Sequence, residues 1–129
     1  MAAQSVRWEI PSDPREIAPV RRQVAAFASR AGMDSPALTD VQVAVSDAVT
    51  TAILHAAAER ERVRVEAESR DGALVVRVRE GGTGTAEQPI PPVLGPRLSM
   101  IAALAQAFGV RRCEGGATEL SMRFAIGGG

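Results

Sequence analysis

The chain reads as an α+β protein, a two-layer sandwich with a mixed or antiparallel sheet and about three helices on one face. Three observations predict this. Two long stretches near the N-terminus repeat their apolar residues at helical spacing. Two strictly alternating stretches in the middle are joined by Asp71-Gly72, a hairpin turn signal. A third helical stretch and a second hairpin then close the chain. Its 129 residues suit one domain with one core, spanning 1–129.

The elements follow in order. Val6 to Ile10 alternates and reads as a short strand. Asp13-Pro14 begins a helix: Asp13 can cap it, Pro14 suits the first turn, and Glu16 can complete a capping box. Ile17, Val20, Val24 and Phe27 recur at helical spacing to about Arg30, and Gly32 ends the run. Ser35-Pro36 starts a second helix that runs to about Ala57. Arg62 to Glu68 alternates as a half-buried strand with a charged outer face, and Ala73 to Arg79 returns from the turn. Residues 81–96 carry four of the eight prolines among several glycines, and are expected to form a long, mobile loop. Leu98 to Phe108 is expected as a third helix closed by Gly109. Val110 to Cys113 and Thr118 to Ile126 are expected to pair around Gly115-Gly116.

Composition narrows the function classes. Hydrophobic residues make up 46% and charged residues 23%, as in ordinary soluble globular proteins. Net charge is zero, so bulk electrostatics favours neither nucleic acid nor an anionic membrane as partner. No apolar run is read as a membrane span of about 20 residues, and Met1 to Trp8 lacks the apolar core of a signal peptide. The single cysteine, Cys113, excludes an internal disulfide, suits a reducing cytoplasm, and is most simply a small buried hydrophobe. Every basic residue is arginine, which excludes a lysine-dependent phosphate loop.

The second helix carries the chemistry. Asp47, Thr51 and His55 are spaced four apart, so they stack as a polar ridge on an otherwise apolar element. Such a ridge faces a pocket or a partner, and a cleft beneath residues 81–96 is the expected pocket. Glu80-Gly81-Gly82-Thr83-Gly84 follows a strand directly, and Gly95 opens a later loop. Each feature also has a plain structural explanation. Asp47 and Thr51 can be satisfied by local helix bonds, His55 can serve the helix end, and glycine turns after strands are common. A lone histidine makes no metal site.

Taken together, these motifs resemble those of the histidine-kinase-like ATPase superfamily (GHKL, Bergerat fold). Within it they are most similar to the anti-sigma-factor serine kinases of bacteria, the RsbW type. The resemblance runs from Val6 to Phe124. A helix motif close to V-S-E-x-V-T-N-A-x-x-H stands here as Val45 to His55, with Asp47 in place of the family's general-base glutamate and Thr51 in place of its magnesium-binding asparagine. The D-x-G-x-G turn stands as Glu80 to Gly84, which implies that Glu80 accepts from an adenine amino group while Gly82 and Gly84 let the backbone approach the base. The G-x-G-L box stands as Gly95-Pro96-Arg97-Leu98, with Arg97 where a glycine lies against the phosphates. A final G-x-T stands as Gly116-Ala117-Thr118. An arginine on the first helix meets partner proteins in the family, and Arg21, with Arg22 beside it, occupies that place.

The resemblance implies ATP and Mg²⁺ as cofactors, with Thr51 a weak metal ligand. It implies a sigma factor and an anti-sigma-factor antagonist as partners, a stress-response role in the bacterial cytoplasm, and dimers. Two readings stay open. One is an anti-sigma factor that phosphorylates its antagonist on serine, with Asp47 as base. The other is a binding module that keeps the fold and has lost ATP, Mg²⁺ and catalysis. An unrelated α+β domain with a small-molecule pocket at residues 81–96 is a third.

Overall fold

The computed structural model describes residues 4–57, 62–80, 101, 103–112 and 117–126. Strand β1 (Gln4–Ile10) leads through a single 3-10 turn (Pro14–Glu16) into helix α1 (Ile17–Arg30). Helix α2 (Ser35–Ala57) precedes strands β2 (Val63–Arg70), β3 (Ala73–Glu80), β4 (Ala107–Arg112) and β5 (Thr118–Ala125). The five strands form one sheet in the order β1-β2-β3-β5-β4, and every neighbouring pair is antiparallel. Helices α1 and α2 pack on each other and on one face of the sheet.

Local chemistry explains the element ends. Asp13 caps the 3-10 turn by accepting from the Arg15 amide at 2.9 Å. Glu16 does not close a capping box, because the Asp13 amide donates to the Pro11 carbonyl instead. At the far end of α1, Gly32 adopts a φ of 105°. Its N–H donates to the Ser29 carbonyl, and Met33 N–H donates to the Ala28 carbonyl, which together use carbonyls the helix leaves open. Asp34 then caps α2 through its Oδ1, 3.3 Å from the Ala37 amide. Asp71 and Gly72 both have positive φ, the backbone of a tight two-residue hairpin between β2 and β3.

The core lies between the helices and the inner sheet face. Helix α2 contributes Val41, Ala44, Val45, Ala48, Val49, Ala52 and Ile53, spaced three and four apart. They meet Val65 and Ala67 of β2, Leu74, Val76 and Val78 of β3, and Met122 and Phe124 of β5. The stretch Ser35–Leu54 is long and apolar enough to cross a membrane, contrary to the expectation from sequence. Its buried residues, from Val41 to Ile53, belong to this core, while Val43 and Leu54 are exposed.

The outer sheet face is polar, as the alternation predicts. Glu66 pairs with Arg7 at 3.6 Å and with Arg77 at 3.2 Å, Glu68 pairs with Arg70 and Arg77, and Glu9 pairs with Arg64.

One element departs from expectation. The third helix was predicted to reach Phe108, but Ala107 already begins β4, and Gly109 lies inside that strand. Among the described residues, Ile101, Ala103 and Leu104 are helical, and Ala105 N–H makes a last helical bond to the Ile101 carbonyl. Gln106 N–H turns instead to the Arg123 carbonyl at 2.8 Å. Phe108 and Val110 then stand opposite Met122 and Leu120. Pairing with β5 outweighs the helix propensity of an alanine-rich run.

Candidate functional site

Helix α2 and the end of the sheet build the candidate site together. On α2, Thr51 lies one turn after Asp47. Thr51 is buried, and its Oγ1 donates to the Asp47 backbone carbonyl at 2.8 Å. The Thr51 proton is therefore used within the helix, leaving only oxygen lone pairs for a ligand. Asp47 is half-buried. The preceding residue, Ser46, accepts from the Arg21 guanidinium across the α1–α2 contact at 3.4 Å. Arg21 is half-buried there, whereas Arg22 is exposed.

At the sheet end, Glu80 closes β3 directly opposite Thr118, the first residue of β5. Alternation puts both on the inner face, in line with Val78 and Leu120. Both are buried, at 7% exposure each, so a carboxyl and a hydroxyl sit together against the helix layer. Thr118 Oγ1 has no hydrogen-bond partner among the described residues. A buried hydroxyl left this way costs about 1–3 kcal/mol, so the position is suited to a ligand that supplies the missing bond.

Connectivity brings the two halves to one end of the molecule. Val63, the first residue of β2, pairs with Glu80, and only residues 58–62 separate it from the end of α2. A five-residue link spans at most about 17 Å. The C-terminal part of α2, with Thr51 and Asp47, therefore lies toward the sheet end that holds Glu80 and Thr118.

Gly82, Gly84, Gly95, Arg97, Leu98 and Gly116, the 81–96 segment, Cys113 and the His55 side chain lie outside the described residues. No group of three or more metal-ligating side chains occurs among the described residues. The sheet end thus offers a buried acid beside a hydroxyl that has no partner among the described residues. On α2, the Thr51 oxygen is already engaged with its own helix. Two features escaped the sequence: the Arg21–Ser46 bridge and the unsatisfied Thr118 hydroxyl. Ser46 stood in the helix motif, but nothing in spacing says that an arginine 25 residues earlier reaches it.

Two helices packed on one face of a five-stranded antiparallel sheet define an α+β two-layer sandwich. Residues 10–124 match the family described as the histidine kinase-like ATPase domain. The chain belongs to this family, and its relatives are of the RsbW type. A serine-protein kinase RsbW of Listeria innocua is 33% identical over 93 residues, covering 67% of this chain and 59% of that protein. An anti-sigma F factor of Clostridium botulinum is 31% identical over 98 residues, covering 74% of this chain and 67% of the relative. The matched part thus spans about three fifths to two thirds of these relatives' length. The crystal structure of the RsbU and RsbW domains of a Mycobacterium tuberculosis protein superposes with a TM-score of 0.70 at 18% identity, over 95% of this chain and 32% of that one. That likeness bears on the fold.

Proposed function

We propose that the chain is an anti-sigma factor of the serine-kinase type, which binds a sigma factor in one state and an anti-sigma-factor antagonist in the other. The observation that carries the reading is the pairing of buried Glu80 with the unsatisfied Thr118 hydroxyl, below a helix that presents Asp47 one turn before Thr51. The names of the relatives support it, since they are serine-protein kinases and anti-sigma factors. Cytoplasmic placement, a stress-response role and dimers follow from the same reading.

In the phosphotransfer that this reading implies, ATP is the donor and a serine of the antagonist the acceptor. Asp47 takes the proton from the serine hydroxyl as its oxygen bonds to the γ-phosphorus; the bond to the β–γ bridging oxygen breaks and ADP leaves. Glu80 and Thr118 hold the adenine end. Mg²⁺, where bound, neutralises phosphate charge. Arg21 and Arg22 present the partner-facing surface, with Ser46 holding Arg21 flat on α2.

The competing reading, a binding module without catalysis, draws support from the Thr51 back-bond, because a hydroxyl is a poorer magnesium ligand than an amide or carboxylate oxygen. Titration calorimetry with ATP and ADP, with and without Mg²⁺, separates the two. We expect weak nucleotide binding with little Mg²⁺ dependence, and a gain in Mg²⁺ dependence for Thr51→Asn. Micromolar or tighter ATP binding abolished by EDTA in the wild-type chain would contradict that expectation. Complete absence of binding to either nucleotide would leave only the non-catalytic module.

A further inference from the structure

The outer face of the sheet is electrically uneven, although the chain as a whole is neutral. On β1 and β2 the arginines are matched by Glu9, Glu66 and Glu68. On β3, β5 and β4 the register sets three rows side by side: Val75–Arg123–Ala107, Arg77–Ser121–Gly109 and Arg79–Glu119–Arg111. These nine positions hold four arginines and one glutamate. Glu119 is taken by Arg111, at 3.0 Å, and Arg77 by Glu66. Among the described residues Arg79 and Arg123 have no ion pair.

The small residues make this half of the face concave. Gly109, Ala107 and Ser121 floor a groove of about 530 Å³, with Arg77, Arg111 and Arg123 around it. A Cβ at Gly109 would meet only Ser121 Oγ, at an ordinary 3.8 Å, so the missing side chain is not required by packing. Strand β4 is also an edge of the sheet. In the rows that hold Arg123 and Arg77, the β4 positions are Ala107 and Gly109, which carry at most a methyl group.

We propose that this groove is a docking site for an extended, carboxylate-rich protein segment, laid along β4 with alternate acidic side chains turned over Gly109 and Ala107 toward Arg111 and Arg123. Strand addition to an edge supplies backbone hydrogen bonds, and the alternation of side chains, at about 7 Å between like-facing residues, matches the spacing of the rows. A nucleic acid fits less well. The one aromatic ring lining the groove, Phe108, is turned by strand alternation toward the side of Met122, so the outer face offers no row of rings on which successive bases could stack. The site lies on the face opposite Asp47, Glu80 and Thr118, and does not depend on the proposed phosphotransfer.

Fluorescence anisotropy with a labelled decapeptide of alternating Glu and Thr tests the proposal. Ten-nucleotide oligo-dT, anionic lipid vesicles and a decapeptide of alternating Lys and Thr, which should not bind, serve as comparison probes. Measurable binding of the acidic peptide is expected at low salt, reduced at least tenfold in 0.5 M salt. Arg123→Glu, at an exposed position, and Gly109→Glu, which fills the groove, should each weaken it at least tenfold, while Arg30→Glu on α1 should leave it within twofold. If Gly109→Glu does not fold, Arg123→Glu alone decides. The proposal fails if the acidic peptide does not bind at low salt, if Arg30→Glu weakens it as much as Arg123→Glu, or if oligo-dT or vesicles bind more tightly than the peptide.

Discussion

Thr118 concentrates the tension between stability and binding in one side chain. Its hydroxyl is buried with no partner among the described residues, so those residues gain nothing from it. Replacing it by the isosteric valine should leave stability unchanged or raise it by about 1 kcal/mol, as read from urea denaturation. The same change should weaken adenine-nucleotide binding by about tenfold, measured by calorimetry. A clear loss of stability would mean that the hydroxyl is satisfied within the protein, and the base-end assignment would fall with it. A pH effect belongs to the same scale. The Arg15 guanidinium bonds the Asp13 carboxylate and holds its pKa below the usual value, with the Arg15 amide adding to the effect. The folded pKa is the lower one, so this contribution is present above the unfolded value and fades as pH falls through the folded value. Asp13→Asn should remove that acid-side slope from the stability curve, and a slope identical to wild type would contradict it.

At the level of elements, α1 depends on its stop signal. Gly32 holds a φ of 105°, and an added Cβ would find only ordinary contact with Ile126. Gly32→Ala should thus cost about 1 kcal/mol through backbone conformation rather than clash, lowering the urea midpoint at unchanged m. The glycine, the Asp71-Gly72 turn and the alternation of β2 and β3 were all legible because each is set by local chemistry. Strand β4 was not. Ala102 to Phe108 has the composition of a helix, yet Ala107 and Phe108 are strand because β5 offers them partners at Arg123 and Met122. The candidate site divides in the same way. The spacing of Asp47 and Thr51 could be read from sequence, and so could the acidic residue before the glycine turn. The juxtaposition of Glu80 with Thr118 needed the sheet register, and the Arg21–Ser46 bridge needed the packing of α1 on α2.

For the whole molecule, stability rests on the single core beneath α2 rather than on the charged face. Ile53 is 1% exposed and sits among the inner strands, so Ile53→Ala should cost about 2–5 kcal/mol, depending on how far the cavity collapses. By contrast, adding 0.5 M sodium chloride should change the unfolding free energy by less than about 1 kcal/mol, because the ion pairs on the outer face are largely solvated and exposed pairs contribute little. Thermal melts of the two cases would separate these sources. If salt proved as damaging as Ile53→Ala, the ion-pair lattice and not the core would be the principal support.

The opposition of Glu80 and Thr118 has one more consequence. The chain leaves the frame at the end of β3 and returns at the start of β5 to a point directly across from where it left. The ends of the intervening excursion are held together by the ladder itself, whatever its length. Doubling such an excursion costs only about 0.6 kcal/mol in closure entropy. Changes of length between Glu80 and Ile101 are therefore inexpensive for folding, whereas Ile101 and β4, further along the same excursion, belong to the core and the sheet and tolerate none. Between those two residues, length as well as composition is open to change with the scaffold left as it is.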